Sequence, residues 1–267
     1  MRIKPAGIDV VVLAGGVNRI ALYDGYQPGY KALVDFGGRP SIQYVLRALR
    51  QSPYVRDLCI VGPREDLAPA LGDSAVAFVP SAETILGSFV AGLSHFRDRE
   101  VVLLTTADLP LLTAAMVDRF VETCAPISTT HDANIYLAVI PQEAFTGRFA
   151  SMNKGPSRFR DGTFCHGNLG LIQPRFLQNA TAMGRINAMY AARKSQIRSA
   201  LALGLTVGLA YVLGVHRFHV LTLQQLARIA SRRFGIGILP VPVPYPEVAL
   251  DVDEPVDYTL VQEILGA

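Results

Sequence analysis

The stretch "IDVVVLAGGVNRIALYDGYQPGYKALVDFGGRP", residues 8–40, decides how the rest of the chain is read. Residues 8–14 form a compact apolar run rich in valine, which predicts a buried strand. The run breaks on Gly15–Gly16. A polar connection follows, with Arg19 early in it, and Lys31 leads into a second apolar run. In an open parallel sheet, ligands bind beyond the carboxyl ends of the strands. Glycines at such a turn let backbone N–H groups approach an anion such as a phosphate. The plainer reading is a tight turn. The chain has no G-x-x-x-x-G-K-[ST] pattern, and this turn lacks G-x-G-x-x-G.

The same alternation continues outward. Residues 40–51 place Ile42, Val45, Leu46 and Leu49 at helical spacing behind a proline. Strands are expected at 58–62, 76–79 and 101–105, and helices at 85–96 and 113–124, with Thr113 as N-cap. This rhythm predicts a mainly parallel sheet covered on both faces. After Ala133 the pattern changes. A strand is expected at 133–140, then a polar, basic loop "FASMNKGPSRFRDG", then a strand "HGNLGLIQP". Residues 183–234 read as helical with few breaks. Pro240, Pro242, Pro244 and Pro246 predict an extended connector. A last strand at 248–252 and a last helix at 255–265 close the pattern. The reading is one α/β domain over 1–267, with a helical insertion at 183–236.

Composition sets limits. The chain has 267 residues, half of them apolar and 18% charged, enough for a substantial core. A net charge of +3 is too small to argue for nucleic acid. Clusters at Arg193, Lys194 and Arg198, and at Arg228, Arg232 and Arg233, suit an anionic surface. Three widely spaced cysteines without metal-ligand spacing suit a reduced, cytoplasmic setting. No apolar signal segment stands at the N-terminus. The uncharged run 199–215 carries Gly204, Gly208 and Gly214 between basic flanks. It reads as a helix packed in the protein or a subunit interface, or as a membrane-surface contact, and is short for a span.

Four features carry chemistry. Arg19 and Lys31 lie on the connection leaving the sheet's active edge, where positive charge would serve a triphosphate; solvated surface charges are the alternative. In "LLTTADLPLLT", Asp108 closes a hydrophobic strand, a place to hold Mg2+ between phosphates or to cap a turn. In "ALDVDEPVDY", Asp251 and Asp253 point to opposite faces if the strand persists, so only one would reach the ion of Asp108. Asp253 could also be the N-cap of the last helix. In "KGPSRFRDGTFCHGNLGL", Lys154, Arg158 and Arg160 could grip an acceptor phosphate, and His166 and Asn168 could bond hydroxyls. A mobile basic loop is the alternative. His131, His216 and His219 read as surface histidines.

Together "VVLAGGVNR…KALVDFGGRPSIQYVLRAL", "TTADLPLLT" and "DVDEPVDY" resemble the MobA-like NTP transferases, nucleotidyltransferases with the glycosyltransferase-A-type sheet. The resemblance implies a three-layer α/β/α sandwich with a mostly parallel sheet. It implies that Gly15, Gly16, Arg19 and Lys31 cradle the phosphates of a nucleoside triphosphate, with Leu13, Ala14 and Ala107 beside them. The loop "SAETILGSFVAGL" matches where relatives meet base and ribose, which points to Ser88. Asp108 and Asp253, with Asp251 as the other candidate, would hold Mg2+. In sugar-nucleotide relatives a Gly-Asn on the later strand lies near the acceptor, here Gly167–Asn168. The chain departs in two places. Its glycine-to-lysine loop is longer than the family's and lacks Met-Gly after the arginine, and its stretch 183–234 has no counterpart in the shorter relatives.

The expected activity is transfer of an NMP from an NTP to a phosphorylated small-molecule or lipid-linked acceptor, with release of pyrophosphate. The rivals are a glycosyltransferase using a sugar nucleotide and a non-catalytic nucleotide-binding protein. The helical stretch is expected to serve as an acceptor lid, a homo-oligomer interface or a membrane-surface contact.

Overall fold

The computed structural model describes residues 3–72, 76–192 and 220–266. Its centre is β1 (Ile8–Leu13), flanked in parallel by β4 (Val55–Val61) and β6 (Val102–Thr106). The short β5 (Ala77–Val79) extends the sheet beyond β4. On the other side β9 (Gly162–Ile172) runs antiparallel between β6 and β7 (Ile135–Pro141), and β10 (Ile238–Pro242) pairs in parallel with β7. With β8 (Ser157–Phe159) hairpinned to β9, the described residues form a mixed, mostly parallel eight-stranded sheet.

Both faces are covered because β1 is apolar on both. Val10 and Val12 face one core with Ile42 and Val45 of α1 (Ser41–Gln51), Val117 and Phe120 of α4 (Ala114–Thr130) and Leu260 and Val261 of α7 (Pro255–Leu265). Val11 faces the other core, with Leu93 of α3 (Ile85–His95), Ala182 of α5 (Ala180–Ala192) and Phe234 of α6 (Leu223–Phe234). The four-residue α2 (Arg64–Leu67) follows β4. At Gly92 of α3 an added Cβ would stand 2.5 Å from Val11 Cγ1, so the absence of a side chain lets the helix lie directly on the sheet. The architecture is the expected three-layer sandwich.

Four local expectations need correction. The proline connector is in part β10, an edge strand. Proline has no N–H to give a ladder and is tolerated at an edge. The exposed side of β10 is closed by α6: Ser231 Oγ accepts from Ile238 N at 2.8 Å, and Gln224 Nε2 donates to the Pro240 carbonyl at 3.3 Å. Second, no strand forms at 248–252. Pro246–Ala249 is a 3-10 turn, and Val252 N–H bonds the Asp108 carbonyl, two residues past β6, at 3.2 Å. Third, part of the basic loop is β8. Fourth, α4 runs through Pro126 to Thr130, fixed by Ser128, whose hydroxyl accepts from Ile3 N–H at 2.8 Å. The run 199–215, the cluster Arg193–Arg198, and His216 and His219 lie outside the described residues. Among the described residues no helix is long and apolar enough to cross a membrane. Cys59, Cys124 and Cys165 are buried and free.

Candidate active site

β1 and β6 end side by side, with Leu13 in register with Thr106. The turns that follow therefore meet at one edge of the sheet. Ala14 N–H bonds the Val61 carbonyl at 2.8 Å and Ala107 N–H bonds the Leu13 carbonyl at 2.9 Å, which fixes Leu13, Ala14 and Ala107 as the floor. Above them the chain opens at Gly15–Gly16. An added Cβ on Gly15 would stand 2.8 Å from Ser81 Cβ, so the loop after β5 closes against a bare backbone.

Lys31 returns to this turn although the loop is long. β2 (Val17–Asn18) and β3 (Gly29–Tyr30) zip into a two-stranded ribbon, and Lys31 N–H then bonds the Gly16 carbonyl at 2.9 Å. The ribbon is tied to the far end of the chain. Asn18, buried, donates to the Asp253 carbonyl at 3.3 Å.

Three carboxylates converge beside Lys31. Asp108, Asp251 and Asp253 each offer an oxygen, and these oxygens lie within 4.8 Å of one another. The expectation that only one of Asp251 and Asp253 can reach Asp108 is corrected here: the segment is not a strand, so alternation does not divide them. Lys31 Nζ bonds Asp253 Oδ1 and stands 3.6 Å from Asp108 Oδ2. Burial pulls the Lys31 pKa down, but the Asp253 hydrogen bond and the charges of Asp108, Asp253 and Asp251 outweigh it, and the net shift is upward. The ammonium is held charged. Burial pushes the Asp251 carboxyl up; Lys154 and Lys31 oppose this, while Asp108 and Asp253 reinforce it.

The cluster fits a divalent cation. Asp108 Oδ1 is buried and has no hydrogen-bond partner among the described residues. A buried carboxylate oxygen without a donor is costly. An all-oxygen donor set suits a hard ion, and such an ion would satisfy that atom.

Comparison with known proteins gives the family and the fold. Residues 10–205 match the model of the MobA-like NTP transferase domain. The chain belongs to the MobA-like NTP transferase family. It is similar to a hypothetical transferase from Thermus thermophilus, at 31% identity and a TM-score of 0.75, covering 94% of this chain and 99% of that one. The fold also matches a CMP:2-keto-3-deoxy-manno-octonic acid synthetase complexed with CTP, at 13% identity, TM-score 0.58 and coverage of 98% and 99%. It matches a 4-diphosphocytidyl-2C-methyl-D-erythritol synthase from Anaerococcus prevotii, at 13% identity, TM-score 0.55 and coverage of 99% and 98%.

Within this NTP transferase fold the remaining candidate residues fall into separate groups. Lys154, His166 and Asn168 line one cleft of about 450 Å3 with Asp251 and Asp253. His166 is exposed there, while Asn168 donates to the Val248 carbonyl at 3.3 Å. Gly167 sits where β9 bulges against β7; an added Cβ would stand 2.8 Å from Ile140 Cδ1, so sheet packing accounts for the glycine. Arg158 and Arg160 belong to the β8–β9 hairpin and do not line this cleft. Lys154 is not open to an acceptor phosphate. Its ammonium donates to the Asp251 carbonyl at 2.7 Å and to Asp257 Oδ2 at 2.9 Å. Arg19 is exposed and makes no ion pair with a described residue. The Ser88 hydroxyl accepts from Ala82 N–H at 3.0 Å, which shapes the loop before α3.

The sequence reading missed Asn18 and Asp257, and its alternative of Asp253 as the last N-cap is corrected. Glu254, not Asp253, is the residue before α7, and Asp257 bonds its N–H at 3.0 Å. The E-x-x-D spacing of a capping box was the available signal.

Proposed function

We propose that this chain moves an NMP from a nucleoside triphosphate to a phosphorylated acceptor and releases pyrophosphate, with Mg2+ as cofactor. The observation that carries this reading is the convergence of Lys31 and three carboxylates on the glycine turn after β1. The backbone of Leu13 to Gly16 and Ala107 would hold the triphosphate, and Ser88 would order the loop facing base and sugar. Arg19, exposed and without an ion pair to a described residue, is available to a phosphate that reaches the ribbon. The CTP held by the similar synthetase supports an NTP as donor.

The acceptor phosphate is already anionic, so the attack on the α-phosphorus needs little proton transfer. The protein's work is positioning and charge. Asp108, Asp251 and Asp253 would hold Mg2+, which supplies positive charge to the phosphate oxygens. Lys31 would stabilise the charge that develops toward the departing pyrophosphate. The cleft lined by His166 and Asn168 would take the acceptor.

A pyrophosphate-release assay tests the proposal, with each of the four NTPs, Mg2+ and a panel of phosphorylated alcohols and sugars. Acceptor-dependent pyrophosphate is the expected result. Release of a nucleoside diphosphate from a sugar nucleotide, with none from free NTP, would make the glycosyltransferase reading correct instead.

A further inference from the structure

Asp251 and Asp253 lie on residues 250–254, which belong to no helix or strand. Such a segment has no backbone ladder to hold it, and its own charges repel. Asn18 bonds the Asp253 carbonyl, Val252 N–H bonds the Asp108 carbonyl and Lys31 bonds the Asp253 carboxylate, and two further side chains, Asp257 and Lys154, bind its backbone. Asp257, in the first turn of α7, is 3% exposed. Its Oδ2 accepts from Asp253 N–H at 3.0 Å, Glu254 N–H at 3.0 Å and Lys154 Nζ at 2.9 Å. The same ammonium donates to the Asp251 carbonyl at 2.7 Å and stands 3.5 Å from Asp251 Oδ1. An ammonium has three donors, and these contacts give each of them a direction.

We infer that Lys154 and Asp257 form a clamp that positions Asp251 and Asp253 to share a divalent cation with Asp108. The inference rests on the reading of the three carboxylates as a cation site. The clamp fixes the backbone on both sides of Val252, so the two side chains reach the ion from a preset loop. It also ties the loop before β8, which borders the acceptor cleft, to the metal-holding segment.

Simple electrostatics gives the opposite expectation for the same residue. Lys154 is a positive charge beside a cation site, so its removal should tighten metal binding. Loss of a clamp should weaken it. The sign of the change therefore separates a positioning role from a merely nearby charge.

The test is Mn2+ binding by the full chain, followed by the electron paramagnetic resonance of free Mn2+, with Mn2+ alone and with added inorganic pyrophosphate. Lys154→Met is expected to weaken binding at least tenfold. That variant leaves Asp257 buried without its counter-ion, which can unfold a protein. The double variant Lys154→Met/Asp257→Asn removes both charges and decides the matter if the single one does not fold. Where Lys154→Met and Asp257→Asn each fold alone, their losses should not add in the double variant, because either change opens the same clamp. Unchanged or tighter Mn2+ binding in a folded variant overturns the clamp and leaves the cation site standing, as do fully additive losses. Absence of Mn2+ binding by the wild type in both conditions overturns the cation site and the clamp together.

Discussion

The two ends of the central sheet each bury a carboxylate, and they treat it differently. At the amino end, Asp9 of β1 is 1% exposed and is gripped by Arg56 Nε at 2.9 Å and Arg99 Nε at 2.6 Å. At the carboxyl end, Asp108 is nearly as buried, yet among the described residues one oxygen has no donor and the other has an ammonium 3.6 Å away. Both sites cost desolvation. Asp9 is neutralised by the chain's own cations and serves stability. Asp108 is left short of positive charge, and two more carboxylates are brought to it. Like charges brought together in this way repel, so the second arrangement costs stability where the first supplies it.

The sharpest way to break this comparison is Asp108→Ala. It should lower turnover about a thousandfold, the scale of a lost electrostatic stabiliser of the transition state, and leave the melting temperature within a few degrees of wild type. A large fall in melting temperature with turnover per folded molecule retained would make Asp108 a structural acid like Asp9. The mirror experiment is Asp9→Asn. Breaking this buried pair should cost about 3 kcal/mol, the low end for such pairs because both arginines are half-exposed and can turn to water. Urea denaturation reads that loss, and kcat per folded molecule should not change. A smaller effect distinguishes the cations at the two ends. Lys31→Met should lower turnover yet tighten Mn2+ binding several-fold, because the ammonium occupies carboxylate oxygens that the ion would use. Weaker Mn2+ binding in that variant would make Lys31 a support of the cluster rather than its competitor.

The parts of the fold that depend on local pattern were legible. The valine run of β1, the Ile42–Val45–Leu46–Leu49 stripe of α1, the Thr113 cap of α4 and the proline-led α7 follow from period and capping chemistry. Prolines hid β10, because an edge strand closed by side chains from α6 needs fewer of its own N–H groups than pattern reading assumes. The alternation "ALDVD" suggested a strand where a turn and an irregular segment stand. In the site, Asp108 and Lys31 were visible from their place after strands. The contacts of Asn18 and Lys154 were not, since each reaches a distant part of the chain, whereas the capping of Glu254 by Asp257 is local. Asn18 bonds residue 253, and Lys154 bonds residue 257. No window along the sequence contains such a pair.

The ribbon of β2 and β3 has one more consequence. It staples the two ends of the loop next to Gly16, so the lysine's place is set by hydrogen bonds at the base and not by how many residues lie between. Between the staples residues 19–28 are anchored by side chains, with Leu22 buried in the core and the Tyr23 ring against Tyr258. Doubling a loop costs only about 0.6 kcal/mol in closure entropy. A residue added between those anchors would therefore leave the charge beneath the loop in place.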